Sequence, residues 1–142
     1  MRAVVLHEHG GPESLVYEEN FPDPIPRPGD VIVKVKATSL NYHDIFTRNG
    51  MPGIKIDMPM ICGLDVAGEI VELGSNVNDW SIGDRVLVDP RNRVEGGLVG
   101  ETIHGGLAEF CRVPDHQLVL IPNDVTFAQA ASLPVAYGTA HR

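Results

Sequence analysis

The alternation in Asp30-Val31-Ile32-Val33-Lys34-Val35-Lys36-Ala37-Thr38-Ser39 constrains the fold more than any other stretch of this chain. A strand turns successive side chains to opposite faces, so Val31, Val33, Val35 and Ala37 share one side. Such a strand is half-buried and needs partners. Residues 2–6, 15–18, 66–73, 85–88, 107–113 and 117–120 supply them, each bounded by Gly, Pro, Asn or Asp. Many short strands and few helices predict a mainly β fold, a barrel or a sandwich.

Helices are predicted only at the margins. Between Asn41 and Asn49 one short helix is expected: Asn41 caps it, Ile45 and Phe46 give it an apolar face, and Asn49-Gly50 ends it. This holds Asn41 and Tyr42 at the helix mouth. Thr126 and Gln129 have capping-box spacing, and Pro134 suits a first helical position, so two more short helices should follow the last strand. The segment from Phe21 to Asp30 carries four prolines and reads as an extended connector.

The length of 142 residues suits one core without staples, and no apolar run is long enough to span a bilayer. A net charge of −8 with no basic stripe argues against a nucleic-acid partner. The opening residues meet charge too early for a signal peptide, so a cytoplasmic location is expected. There the two cysteines, Cys62 and Cys111, would be buried thiols and not a disulfide.

Four segments carry a resemblance: Ser39 to Gly50, Gly63 to Gly74, Gly83-Asp84-Arg85-Val86, and Gly105 to Phe110. In order and spacing they resemble the medium-chain dehydrogenase/reductase superfamily, and within it the zinc-free members similar to quinone oxidoreductases. The resemblance implies a GroES-like, partly open β-barrel with short peripheral helices as the catalytic domain over 1–125. It also implies a helical connector over 126–142, leading into a Rossmann cofactor domain that the chain does not contain. Such a protein would use NADPH or NADH on a small-molecule carbonyl and would be a homo-oligomer when complete. The chain alone would then show no turnover.

In zinc-dependent relatives a Cys stands at the position of Asn41, a His at that of Leu64 and an acidic residue at that of Asp65. Neither a neutral amide nor a leucine can ligate zinc as thiolate and imidazole do, so no catalytic metal is expected. His43, Cys62 and Asp65 form an imaginable rescue set, but their spacing does not make them converge. The loop from Asp89 to Gly105 matches the structural zinc lobe of those enzymes and holds no cysteine, and its glycines predict mobility.

Without a metal, hydrogen-bond donors must hold the developing oxyanion, and Asn41 and Tyr42 are the candidates. Asp44, Leu64 and Asp65 are expected in the pocket wall or behind it. Asp44 would serve as scaffold, and Asp65 would bond backbone or an arginine. Thr139 is the candidate contact to the nicotinamide side. The leading expectation is the substrate half of an NAD(P)H-dependent reductase of quinones, enones or related carbonyls. A zinc alcohol dehydrogenase with atypical ligands and a non-enzymatic GroES-like interaction module stay open beside it.

Overall fold

The computed structural model of the chain describes residues 1–53 and 55–141. Among them the strands are β1 (Ala3–Leu6), β2 (Leu15–Glu18), β3 (Asp30–Ser39), β4 (Met60–Ile61), β5 (Asp65–Leu73), β6 (Arg85–Val88), β7 (Phe110–Pro114) and β8 (Leu118–Leu120). They make two antiparallel sheets, of order β2-β1-β4 and β7-β3-β5-β6-β8. The sheets do not close on one another through a strand ladder. They are stitched by main-chain bonds from Val4 N–H to the Leu107 carbonyl (2.8 Å) and from Glu109 N–H to the Arg2 carbonyl (3.1 Å). The result is the open, mainly β architecture expected of a GroES-like domain.

The alternating strand lies inside the larger sheet, paired with β5 on one side and β7 on the other. Val31 and Val33 are fully buried and pack with Val66, Ile70, Val86, Val88 and Val113, while Val35 is only partly covered. Burial of each such side chain contributes about 1.5–3 kcal/mol, so this valine cluster carries the fold. Ile32, on the other face, is also buried. Register shifts between Ile32 and Val33 and between Val35 and Ala37 let β3 slip against β5, ending with Ser39 opposite Asp65.

Three helices lie at the edges: α1 (Tyr42–Asn49), α2 (Phe127–Ala131) and α3 (Pro134–Ala140). The Thr126 hydroxyl accepts from Gln129 N–H (3.2 Å), and the Gln129 side chain accepts from Thr126 N–H (2.9 Å), so the capping box forms as read. Ala130 and Ala131 on α2 are buried against Ala67 and Ile121. Arg85 fastens the approach to α2: its guanidinium donates to the carbonyls of Pro122 (2.8 Å) and Val125 (2.6 Å) and lies 4.7 Å from the Phe127 ring centroid.

Two local readings differ from the structure. The strand expected from Leu107 begins only at Phe110, because Leu107 and Ala108 turn their backbone bonds to β1 and its surroundings. The two-residue β4 is too short to show a period. The loop from Asp89 to Gly105 is built around Val99, which is fully buried and donates its N–H to the Pro90 carbonyl (2.9 Å). Thr102 closes the turn by bonding Leu98 N–H and carbonyl, each at 3.0 Å.

Candidate active site

The register that sets Ser39 opposite Asp65 creates the centre of the site. Asp65 is fully buried, and its carboxylate accepts three hydrogen bonds: from the Ser39 hydroxyl (2.5 Å), from the Asn41 amide (2.9 Å), and from the backbone N–H of Val135 (3.0 Å). Three donors compensate the desolvation of one carboxylate. They come from the end of β3, the N-cap of α1 and the first turn of α3. No arginine reaches Asp65 among the described residues, so of the two partners expected for it only the backbone is present.

Asp44 sits one helical turn into α1, where its two oxygens accept from Asn41 N–H and Gly63 N–H, both at 2.8 Å. Burial pushes its carboxyl above the ordinary carboxylate range, and the two backbone donors offset part of that rise. It ties the helix start to the β4–β5 link, as a scaffold residue should. The link itself demands glycine, because Gly63 has a φ of +101° and an added Cβ would lie 2.8 Å from Leu107 N.

Two cavities open beside this bracket. The smaller, about 250 Å³, is mostly apolar and is lined by Asn41 and Tyr42 together with Leu15, Leu40, Ile45 and Cys62. Asp44 also reaches its wall. Tyr42 is 79% exposed, with its ring 6.5 Å from that of Phe46, and its hydroxyl makes no hydrogen bond among the described residues. The larger cleft, about 740 Å³, runs between the β6–β8 side, the lobe loop and α3, and is lined by Leu64, Thr139, His43 and Glu101, among others. The candidate residues are therefore divided. Asn41 and Tyr42 share one cavity, Leu64 and Thr139 share the other, and Asp65 lies between them, bonded to Asn41 and to Val135.

One pair was not legible beforehand. His43 Nε2 stands 2.6 Å from Glu101 Oε2, with side chains only 25% and 12% exposed, at the wall of the larger cleft. His43 had been weighed as a metal ligand and set aside in favour of a solvated side chain, and Glu101 lies in a loop with no pattern to single it out. Burial pushes the Cys62 thiol up to about 11, and that of Cys111 up to about 12. Both thiols are free and buried.

The residues at the zinc positions do not suit that metal. The Asn41 amide turns an N–H, not an acceptor, toward Asp65, Leu64 has no donor atom, and both Asp65 oxygens are already engaged. Among the described residues no group of three or more His, Cys, Asp or Glu is placed to hold a metal ion.

The alcohol dehydrogenase GroES-like domain family matches residues 27–123, and the chain belongs to that family. Over all 142 residues it is 35% identical to the quinone oxidoreductase of Lama guanicoe, of which it covers 40%. Over 99% of its length it is 38% identical to the chloroplastic NADPH-dependent alkenal/one oxidoreductase of Arabidopsis thaliana, of which it covers 36%. Among solved structures, an NAD-dependent alcohol dehydrogenase superposes with a TM-score of 0.87 at 33% identity, over 94% of this chain and 43% of that one. The chain thus spans about two fifths of the length of these relatives. No helix among the described residues is long and apolar enough to cross a membrane.

Proposed function

We propose that this chain is the substrate-binding half of an NAD(P)H-dependent, zinc-independent oxidoreductase acting on quinones, enones or related carbonyls. The observation that carries the reading is the saturated Asp65 carboxylate. With Ser39, Asn41 and Val135 all donating to it, Asp65 acts as a fixed acceptor that orients the Asn41 amide. One Asn41 N–H is held by Asp65, which leaves the second N–H and the Tyr42 hydroxyl as donors for a substrate oxygen. A preorganised donor of this kind contributes about 3 kcal/mol to a transition state in which charge builds on oxygen. That suffices for a conjugated acceptor, whose charge is delocalised, and the likeness to the llama quinone oxidoreductase and the Arabidopsis alkenal/one oxidoreductase supports the same substrate class.

The smaller apolar cavity suits a ring or alkenyl chain, and Asn41 and Tyr42 stand at its edge. Leu64 and Thr139, at the larger cleft, are the residues of this chain that would face the nicotinamide. Bound NADPH or NADH would supply the hydride; what this chain adds is orientation and shelter from water. A Rossmann domain following the connector over 126–142, and a homo-oligomeric assembly, complete the proposed enzyme. The domain boundary near 125 belongs to the same proposal.

The test is an assay of the full-length protein, dialysed against a chelator, with NADPH and with NADH on a quinone, an enone and a simple alcohol. Turnover of the first two without added metal is expected. Asn41→Ala should lower kcat/KM for the enone by about 10²–10³-fold. The fold should lose about 1.5–3 kcal/mol, because the variant removes one of the three donors to the buried Asp65 carboxylate. Zinc-dependent alcohol turnover, or an Asn41→Ala variant with unchanged kinetics, would overturn the reading or remove Asn41 from it.

A further inference from the structure

A para-quinone asks more of a pocket than an enone does. Its ring is apolar and carries an acceptor oxygen at each end, and reduction turns both carbonyls into hydroxyls. One hydride from the reduced nicotinamide and one proton from water supply the two hydrogens. The two C=O π bonds give way to an aromatic ring, and the nicotinamide leaves oxidised. Charge therefore builds on two oxygens that face opposite ways, and Asn41 and Tyr42 serve only one of them.

The smaller cavity holds a further donor. Asn41, Asp44, Ile45 and Arg48 line it at i, i+3, i+4 and i+7, the spacing of one helix face. Asn41 and Arg48 stand at the two ends of that stripe, about 10 Å apart along the axis, with Ile45 between them. A long helical side chain leans toward the helix start, so the gap left for a ring between the two polar ends is shorter than that. Asp44, the other charged residue of the wall, spends its oxygens on the N–H groups of Asn41 and Gly63.

Arg48 is held in place without being neutralised. Its Nε donates to the Gly10 carbonyl (3.2 Å), and Nε and Nη2 donate to Asn49 Oδ1 (3.2 and 2.8 Å), all uncharged acceptors. Nη1 makes no hydrogen bond among the described residues. Burial and the Asp44 carboxylate raise the Cys62 thiol while the Arg48 charge works the other way, which sets that charge beside a residue of the same cavity wall. A guanidinium stays protonated throughout the neutral range, so its donors are always present.

We infer that Arg48 donates to the second oxygen of a para-quinone whose first oxygen is held by Asn41 and Tyr42, which makes the smaller cavity selective for diones over mono-enones. The ring lies along α1, against Ile45, with a donor at each end. This assignment rests on the reductase reading above and narrows its substrate class.

The experiment compares para-benzoquinone with cyclohexenone, a ring of the same size with one oxygen, on the full-length enzyme. Arg48→Met should lower kcat/KM for the quinone by about 10–100-fold, the value of one hydrogen bond to a charged group, and leave the enone within about threefold. An equal loss on both substrates, or none on the quinone, overturns the assignment and leaves the reductase reading standing, since a residue that only fastens the helix end affects the two alike. Because Arg48 also ties α1 to Gly10, the wild type is read as well. Infrared spectra are taken of a methyl-substituted para-quinone, ¹³C-labelled at one carbonyl or the other and bound beside oxidised nicotinamide. Both C=O stretches should fall below their values in an apolar solvent. One stretch left at its apolar-solvent value overturns the assignment whether or not the variant folds. A wild type that turns over neither substrate removes the reductase reading and this assignment with it.

Discussion

Asp65 and Glu101 are carboxylates near the same helix, yet they are used in opposite ways. Asp65 is fully buried and shared among Ser39, Asn41 and the α3 backbone, so every lone-pair direction that matters is spent inside the fold. Glu101 stands at a cleft and touches one side chain, His43, which itself faces the open volume. The difference shows how a carboxylate can be assigned from its donors. One that joins three backbone elements holds the structure, whereas one that grips a single ring at a cleft fixes how that ring is turned. Asp44 falls between them, with two backbone donors and no side-chain client.

The sharpest way to break this ordering is Asp65→Ala. It leaves the Ser39 hydroxyl, the Asn41 amide and the Val135 N–H without their shared acceptor, and a stability loss of about 3–5 kcal/mol is expected by urea unfolding. Asp65→Asn should cost less, since it keeps an acceptor oxygen while bringing an NH₂ toward one of the donors. An alanine variant within about 1 kcal/mol of wild type would show that the three-way bond is not what joins α3 to the sheet.

Asp44→Ala comes next, at about 2–3 kcal/mol for two unpaired backbone N–H groups. Its pH dependence has a definite sign. Because burial raises the Asp44 carboxyl in the folded chain, the native state binds that proton more tightly than the unfolded state does. The group's titration therefore favours folding on the acid side, and that contribution is lost as pH rises through its elevated value. Measured against the non-titrating Asp44→Asn, the stability of the wild type should decline relative to the variant across that window. A difference that grows with pH would contradict the burial argument.

Much of this could be read from the sequence because it is local. The valine period of β3, the Asn41 helix start, the Thr126 and Gln129 box and the Pro134 helix start each depend on residues within a turn or two of one another. The scaffold role of Asp44 came from the resemblance, since relatives commonly carry an Asp at this position. What the sequence hid was long-range. Ser39 meets Asp65 across 26 positions, Val135 meets it across 70, and His43 meets Glu101 across 58. No periodicity links such pairs; only the register of β3 on β5 and the anchoring of Val99 bring them together. The split of the candidate residues between two cavities was hidden for the same reason.

Glu101→Gln should have the smallest effect on stability and is the most discriminating for the comparison. The replacement keeps shape and an acceptor oxygen, so a neutral His43 can still donate from Nε2. The lost charge acts across a partly exposed contact, where ion pairs contribute about 1 kcal/mol or less. Urea unfolding of Glu101→Gln is therefore expected to lie within about 1 kcal/mol of wild type, and most of that difference should vanish in 1 M salt, where the screening length falls to about 3 Å. A loss above about 2 kcal/mol that salt does not reduce would place Glu101 with Asp65 as a structural carboxylate. His43 would then be a strut between α1 and the lobe loop.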